Sequence, residues 1–214
     1  MKRFDIITEA DARLLTPGSS IELARGGHIT PLAQDTLRER RVTVVRVDGL
    51  DTSDAALTGL TPVAEIKSMA VGSDHTGIAL RRTLVGHLRG QGLSVRESGP
   101  AASTDAVDYP DIAAEVGRAV ARGDVDAGIV IDGAGLGSAI AANKISGVRA
   151  AMCTTPTLAR YSREHNGANV LSLGATLLTT DEALAIVETW RGTAMTEPRY
   201  VRRLAKIKRL EESR

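Results

Sequence analysis

Aromatic side chains are almost missing from this chain: Phe4, Tyr109, Tyr161, Trp190 and Tyr200 are the whole set in 214 residues. That scarcity argues against base-stacking platforms and aromatic cages. Cys153 is the single cysteine, which excludes an internal disulfide and a cysteine-rich metal site. Neither sign of charge dominates, with 27 basic against 26 acidic residues and a formal net charge of +1. No broad attraction to nucleic acid or to an anionic membrane is therefore expected. No apolar run approaches the roughly 18 residues of a membrane span. The basic start Met1-Lys2-Arg3-Phe4-Asp5 leads into no apolar stretch of signal-peptide length. These absences predict a soluble, cytoplasmic protein with neither nucleic acid nor membrane as partner.

What is there is aliphatic. A core of Ala, Val, Leu and Ile suits a buried parallel sheet covered by helices. The chain is organised around Gly128-Ile129-Val130-Ile131-Asp132-Gly133-Ala134-Gly135-Leu136-Gly137-Ser138. This is an apolar strand, a glycine-rich turn and the start of a helical pattern that runs to Lys144. A strand feeding a helix through such a turn points backbone N–H groups at whatever lies above it. Asp132 stands at the strand's carboxyl end, where open α/β sheets place their chemistry.

Three segments follow from composition and pattern. Residues 1–50 form a small α+β accessory segment. Thr8 and Asp11 offer caps for a short helix, Ile21-Glu22-Leu23 alternates as a short strand, Thr30-Pro31 opens a second helix, and Val42 to Val47 is a β-branched strand. Residues 51–67, with Gly59 and Pro62, read as a linker. Residues 68–214 alternate strand and helix. Strands are expected at Met69–Gly72, Leu93–Val95, Gly128–Ile131, Val148–Cys153 and Asn169–Leu173. Helices are expected between them, then one capped by Asp181 and a basic C-terminal helix from Pro198 to Glu212. The fold class is α/β, a doubly wound, Rossmann-like, five-stranded parallel sheet.

Candidate site residues cluster at strand ends and helix starts. They are Asp74 and His75 in Gly72-Ser73-Asp74-His75-Thr76-Gly77; Asp108 and Tyr109; Asp132 with Gly133, Ala134, Gly135 and Gly137; Asn143 and Lys144; His165 and Asn166; and Arg199 with Arg203, four apart on one helix face. Taken singly, each has a bland reading as a cap, a tight turn or a solvated charge. Together and in this order they resemble the type B ribose-5-phosphate isomerases and the related galactose-6-phosphate isomerase subunits. The carrying motifs are Gly72 to Gly77, Asp108-Tyr109-Pro110, Gly133 to Gly137, Ile140-Ala141-Ala142-Asn143-Lys144, Arg163-Glu164-His165-Asn166 and Arg199…Arg203.

The resemblance implies a metal-independent aldose–ketose isomerase of a phosphorylated sugar, with no cofactor. Ribose 5-phosphate leads as substrate. It also implies a homodimer or homotetramer with its active site at the subunit interface. Asp74 would bind sugar hydroxyls, His75, Arg199 and Arg203 the phosphate, Tyr109 would line the site, and His165 with Asn166 would assist ring opening. The loop amides suit an enediolate. This chain departs from the family at the centre: many members carry a cysteine base at the position of Asp132 and a hydroxyl residue at that of Ala134. Others place a glutamate base at that of Ser138. Two readings stay open: Asp132 is the base, its pKa raised by a dehydrated site, or the proton-transfer centre is lost and the fold only binds or assembles. A third has Asp132 orienting a substrate hydroxyl. Separately, Phe4 to Thr8, Gly27 to Ala33 and Leu37 to Val42 resemble the N-terminal region of ethanolamine-utilisation cobalamin adenosyltransferases. That likeness implies shell or enzyme partners in a bacterial microcompartment.

Overall fold

The structure, a computed structural model, describes residues 2–46, 60–62, 65–102, 107–195 and 198–212, with only the backbone described for Arg25, Gly26, Arg46, Pro198 and Arg199. Most of the expected linker thus lies outside the described residues. The chain divides into two compact units, Met1–Thr58 and Gly59–Arg214.

The N-terminal unit runs β1 (Lys2–Ile7), α1 (Glu9–Leu14), β2 (Ser20–Ile29), α2 (Pro31–Glu39), β3 (Thr43–Arg46). Its three strands are all parallel, in the order β1-β2-β3. Thr8 and Asp11 form a reciprocal capping box at α1, and the Thr30 hydroxyl caps α2 ahead of Pro31. Ile7, Ala12, Ile21, Leu23, Ala33 and Leu37 make its core. The sequence pattern missed β1 and caught only the start of β2, because the run Arg25-Gly26-Gly27-His28 breaks the alternation that marks a strand.

The second unit runs β4 (Ser68–Ser73), α3 (Ile78–Gly90), β5 (Ser94–Ser98), α4 (Tyr109–Ala121), β6 (Ala127–Asp132), α5 (Leu136–Ala142), β7 (Ala150–Met152), α6 (Pro156–Glu164), β8 (Val170–Gly174), α7 (Thr180–Arg191), α8 (Pro198–Glu212). Its five strands are parallel in the order β5-β4-β6-β8-β7. The chain leaves β4 toward one edge and returns to β6 on the other side, so the switch point of the sheet lies between β4 and β6. Ligand crevices of open α/β sheets form at the carboxyl ends of such a strand pair. One expected cap moves: Thr179, not Asp181, caps α7, in a capping box with Glu182. The hydroxyl side chain one residue before the helix reaches the amide three residues on, which Asp181 inside the first turn cannot do.

Strand residues alternate between two cores. Met69, Val71, Ile129, Ile131, Leu171 and Leu173 face Leu84, Leu88, Ile186 and Trp190, while Ala70, Val130 and Val170 face Val116, Val120 and Ala142. Trp190 is 0% exposed, and the buried Arg163 guanidinium lies 4.7 Å over its ring. Burial and then the neighbouring Arg149 lower the Arg163 pKa to about 10, so it remains a cation at neutral pH. Leu84→Ala is expected to destabilise the unit by about 2–5 kcal/mol, read in urea through the fluorescence of the single tryptophan, Trp190.

Candidate active site

Asp132 ends β6 with its carboxylate turned back under the glycine loop. Oδ1 accepts the Ala134 amide at 2.8 Å and also the Gly135 amide, and Oδ2 accepts the Ser138 amide at 2.8 Å. The side chain is only 5% exposed. Burial by itself pushes its pKa up. The Ser138 hydroxyl and amide and the Gly135 and Ala134 amides outweigh it and hold the carboxyl below its usual range. The expected raised pKa is therefore corrected: Asp132 is an ionised group clamped at the N-terminus of α5, where helix polarity favours an anion.

The loop is tied down from its other side as well. Gly133 O accepts the Thr176 hydroxyl at 2.6 Å, and Gly135 O accepts the Ser172 hydroxyl at 2.5 Å. Gly135 has φ 77°, and a Cβ there would meet the Leu173 and Gly174 backbone at 2.9 Å. A side chain on Gly137 would strike the Tyr109 ring at 2.5 Å, so that ring lies directly on the loop. Of the loop amides expected to face an enediolate, those of Ala134 and Gly135 are taken by Asp132. Those of Leu136 and Gly137, in the first turn of α5, have no helical acceptor.

Across the switch point, Asp74 N donates to Ile131 O at 3.1 Å. Its buried Oδ1 accepts the Thr76 hydroxyl at 2.6 Å and the Thr76 amide at 2.8 Å. His75 is exposed beside it, and Asp108 stands exposed at the N-cap of α4, before Tyr109. Asp74, His75, Tyr109 and the Asp132 loop thus meet at the carboxyl edge of the sheet.

The remaining candidates lie at the opposite edge. Helix α6 runs back against the strands, so His165 and Asn166 emerge beside Arg149 and Asn169, which precede β7 and β8. The five residues of β8 set the two edges about 16 Å apart. His165 stacks on Tyr161 at 4.7 Å and on Tyr200 at 4.6 Å, with Glu164 Oε1 at 3.8 Å. The Arg203 guanidinium lies 5.5 Å over the Tyr200 ring. Arg199 occupies the first turn of α8, and its side chain is outside the described residues. Asn166 borders a cavity of about 410 Å³, also lined by Arg149, Ile207 and Glu211.

Asn143, expected to bind substrate, does something else: its amide donates to Ala139 O at 2.9 Å and Ala150 O at 2.8 Å and accepts from Ala150 N at 2.8 Å. Both of its hydrogens are spent bracing α5 to β7. Lys144 is exposed at the same end. Thr76, Ser172 and Thr176, which fasten the turns, and Tyr161 and Tyr200, which hold His165, carry no spacing signal and were not singled out from the sequence.

Residues 69–207 match the family model described as Ribose/Galactose Isomerase. The chain belongs to that family. The ribose-5-phosphate isomerase B of Escherichia coli is 40% identical over 149 residues, spanning 70% of this chain and 99% of that one. A ribose-5-phosphate isomerase B structure from Clostridium thermocellum aligns with TM-score 0.67 and 44% identity over 68% of this chain and 98% of its own. One from Mycoplasma genitalium with bound ribulose-5-phosphate aligns with TM-score 0.66 and 36% identity over 69% and 97%. This aldose–ketose isomerase thus keeps both clusters inside the matched region, while its first 68 residues precede it. Among the described residues, no helix is long and apolar enough to cross a membrane.

Because folding lowers the Asp132 pKa, its stabilisation is full above the ordinary carboxylate range and is lost as pH falls through the lowered folded-state value. Asp132→Asn is expected to cost on the order of 3 kcal/mol at pH 7. In denaturant melts, the gap to the unsubstituted protein should narrow below about pH 4.

Proposed function

We propose that this isomerase interconverts ribose 5-phosphate and ribulose 5-phosphate through an enediolate, in a site assembled from two copies of the chain. The separation of the two clusters is the observation that carries this reading. Asp74, His75, Tyr109 and the Asp132 loop at one edge cannot reach His165, Asn166, Arg199 and Arg203 at the other within a single chain. A second copy that sets its amino edge against the first copy's carboxyl edge brings them together.

In that assembly His165 and Asn166 open the sugar ring, a step that moves a proton between the ring oxygen and the anomeric hydroxyl. Asp74 presents an oxygen to the sugar hydroxyls. Arg199 and Arg203 offer planar forks to the phosphate, with His75 from the facing chain. Asp132 takes the proton from C2 of the open-chain aldose. The C2 electron pair becomes the C1–C2 double bond as charge moves onto O1. The O2–H proton then passes to O1, the O2 electron pair forms the C2 carbonyl, and the proton held by Asp132 returns to C1, which yields the ketose and restores the carboxylate. A carboxylate held ionised is a weak base, so the step depends on stabilising the enediolate. The first-turn amides of Leu136 and Gly137 serve that end. We assign the N-terminal unit an accessory, partner-binding role, in keeping with its resemblance to microcompartment proteins.

Turnover is to be measured on ribose 5-phosphate beside a panel of other aldose and ketose phosphates. Tight binding without turnover on any of them would sink the enzyme reading, and preference for another sugar would move the substrate. Asp132→Asn and His165→Ala should each be nearly inactive alone. Unfolded and refolded together, they should regain about a quarter of wild-type activity, because half the random dimers are mixed and each of those has one intact site. No recovery would place the whole site in one chain. Asp132→Cys should lift the acid limb of kcat/KM from below the carboxylate range toward the thiol range. A limb that stays put would move the base elsewhere, with Asp108 the next suspect.

A further inference from the structure

The family region begins at residue 69, yet the chain contributes to the catalytic unit before that point. Leu60 is 5% exposed. Its carbonyl accepts a terminal N–H of Arg149 at 3.0 Å, and the Nε of the same guanidinium donates to Gly167 O at 2.8 Å. One half-buried cation therefore bridges the segment at Leu60 to the turn His165-Asn166-Gly167. The Arg149 amide adds a bond to the Asn169 side chain at 2.7 Å, just beyond that turn.

Gly167 is where the surrounding elements converge. Its φ of +57° is left-handed, and a Cβ on it would meet Leu204 of α8 at 2.7 Å, Met195 at 3.2 Å and Pro62 at 3.4 Å. The turn is thus backed by α8 on one side and by the upstream segment on another. On its far side it presents His165, clasped between Tyr161 and Tyr200. The turn continues α6 through hydrogen bonds from His165 N to Tyr161 O and from Gly167 N to Arg163 O, both at 3.0 Å, and on its other side the close approach of Pro62 and the Arg149 bridge tie it to the upstream segment.

We infer that Leu60–Pro62 is a strap that positions the His165–Asn166 turn for the reaction, with Arg149 as its buckle. The strap is a positioning element, not a catalytic one, and its value to turnover rests on the proposed role of His165 and Asn166. It also sets the working boundary of the catalytic unit upstream of the family match, close to Gly59.

The test uses the full chain with Leu60→Ala/Pro62→Gly and, separately, Arg149→Met, beside the core variant Leu84→Ala as a control for destabilisation. Two readouts are taken: kcat/KM on ribose 5-phosphate, and the His165 Cε1–H proton resonance. That resonance is resolvable among four histidines and is displaced by the flanking tyrosine rings. Both strap variants should lower kcat/KM at least fivefold and move the resonance toward its position in an unstacked histidine. Leu84→Ala should do neither at a temperature where it is folded. Folded strap variants with an unmoved resonance, or with a moved resonance and unchanged kcat/KM, would overturn the inference. Should Arg149→Met fail to fold, the double variant decides alone, since it leaves the Arg149 charge in place. Absence of wild-type turnover on every sugar phosphate would sink the functional reading alone, and the resonance then decides the strap.

Discussion

The carboxylate of Asp132 is the anchor on which the architecture of the candidate site depends. A glycine loop between a buried strand and a helix has many conformations open to it and loses much entropy on ordering. Three amides converging on one carboxylate select a single conformation. The helix N-terminus adds favourable polarity, and the Thr176 and Ser172 hydroxyls hold the loop's outward carbonyls. Tyr109 then closes over Gly137. The same bonds that order the loop keep Asp132 ionised, so loop geometry and the charge of this carboxylate are one physical fact. In the proposed reaction, a carboxylate so held is a weak base in a rigid site, and the remaining first-turn amides carry correspondingly more of the stabilisation.

The second constraint is the parallel sheet. Every strand ends at one edge, and every helix must return to the other before the next strand can begin. Residues at strand ends and residues at helix ends are therefore separated by the length of a strand. All three tyrosines of this aromatic-poor chain belong to the two clusters so formed: Tyr109 at the carboxyl edge, Tyr161 and Tyr200 at the amino edge. The two sheet cores contain no tyrosine and a single aromatic, Trp190, stacked under Arg163.

Much of this was legible in the sequence because it rests on local rules. Period-two and continuous apolar runs located the five strands, Thr30-Pro31 marked a helix start, and the order of short polar motifs pointed to the family. What was not legible depends on partners distant in sequence. The Asn143 motif is present as expected, but its side chain is committed to Ala139 and Ala150, which only the packing of α5 on β7 decides. Asp132 sits in a dehydrated place, as its strand end suggested. Whether burial or hydrogen bonding wins there depends on loop amides whose direction no spacing rule reports. The ten-residue β2 was masked by its glycines, since pairing along both of its edges overrides weak strand propensity.

The sequence by itself determined the alternation of strand and helix, the aliphatic cores, the family and the residue types available for sugar-phosphate chemistry, because each follows from local pattern and composition. Only the tertiary structure decided which of those residues stand together. The strand order placed β4 beside β6 and so Asp74 beside Asp132. The return of α6 carried His165 to the far edge. The bridge through Arg149 drew Leu60 into the catalytic unit. Each is a contact between segments far apart along the chain, set by sheet order and helix direction, and so is written in no single stretch of it.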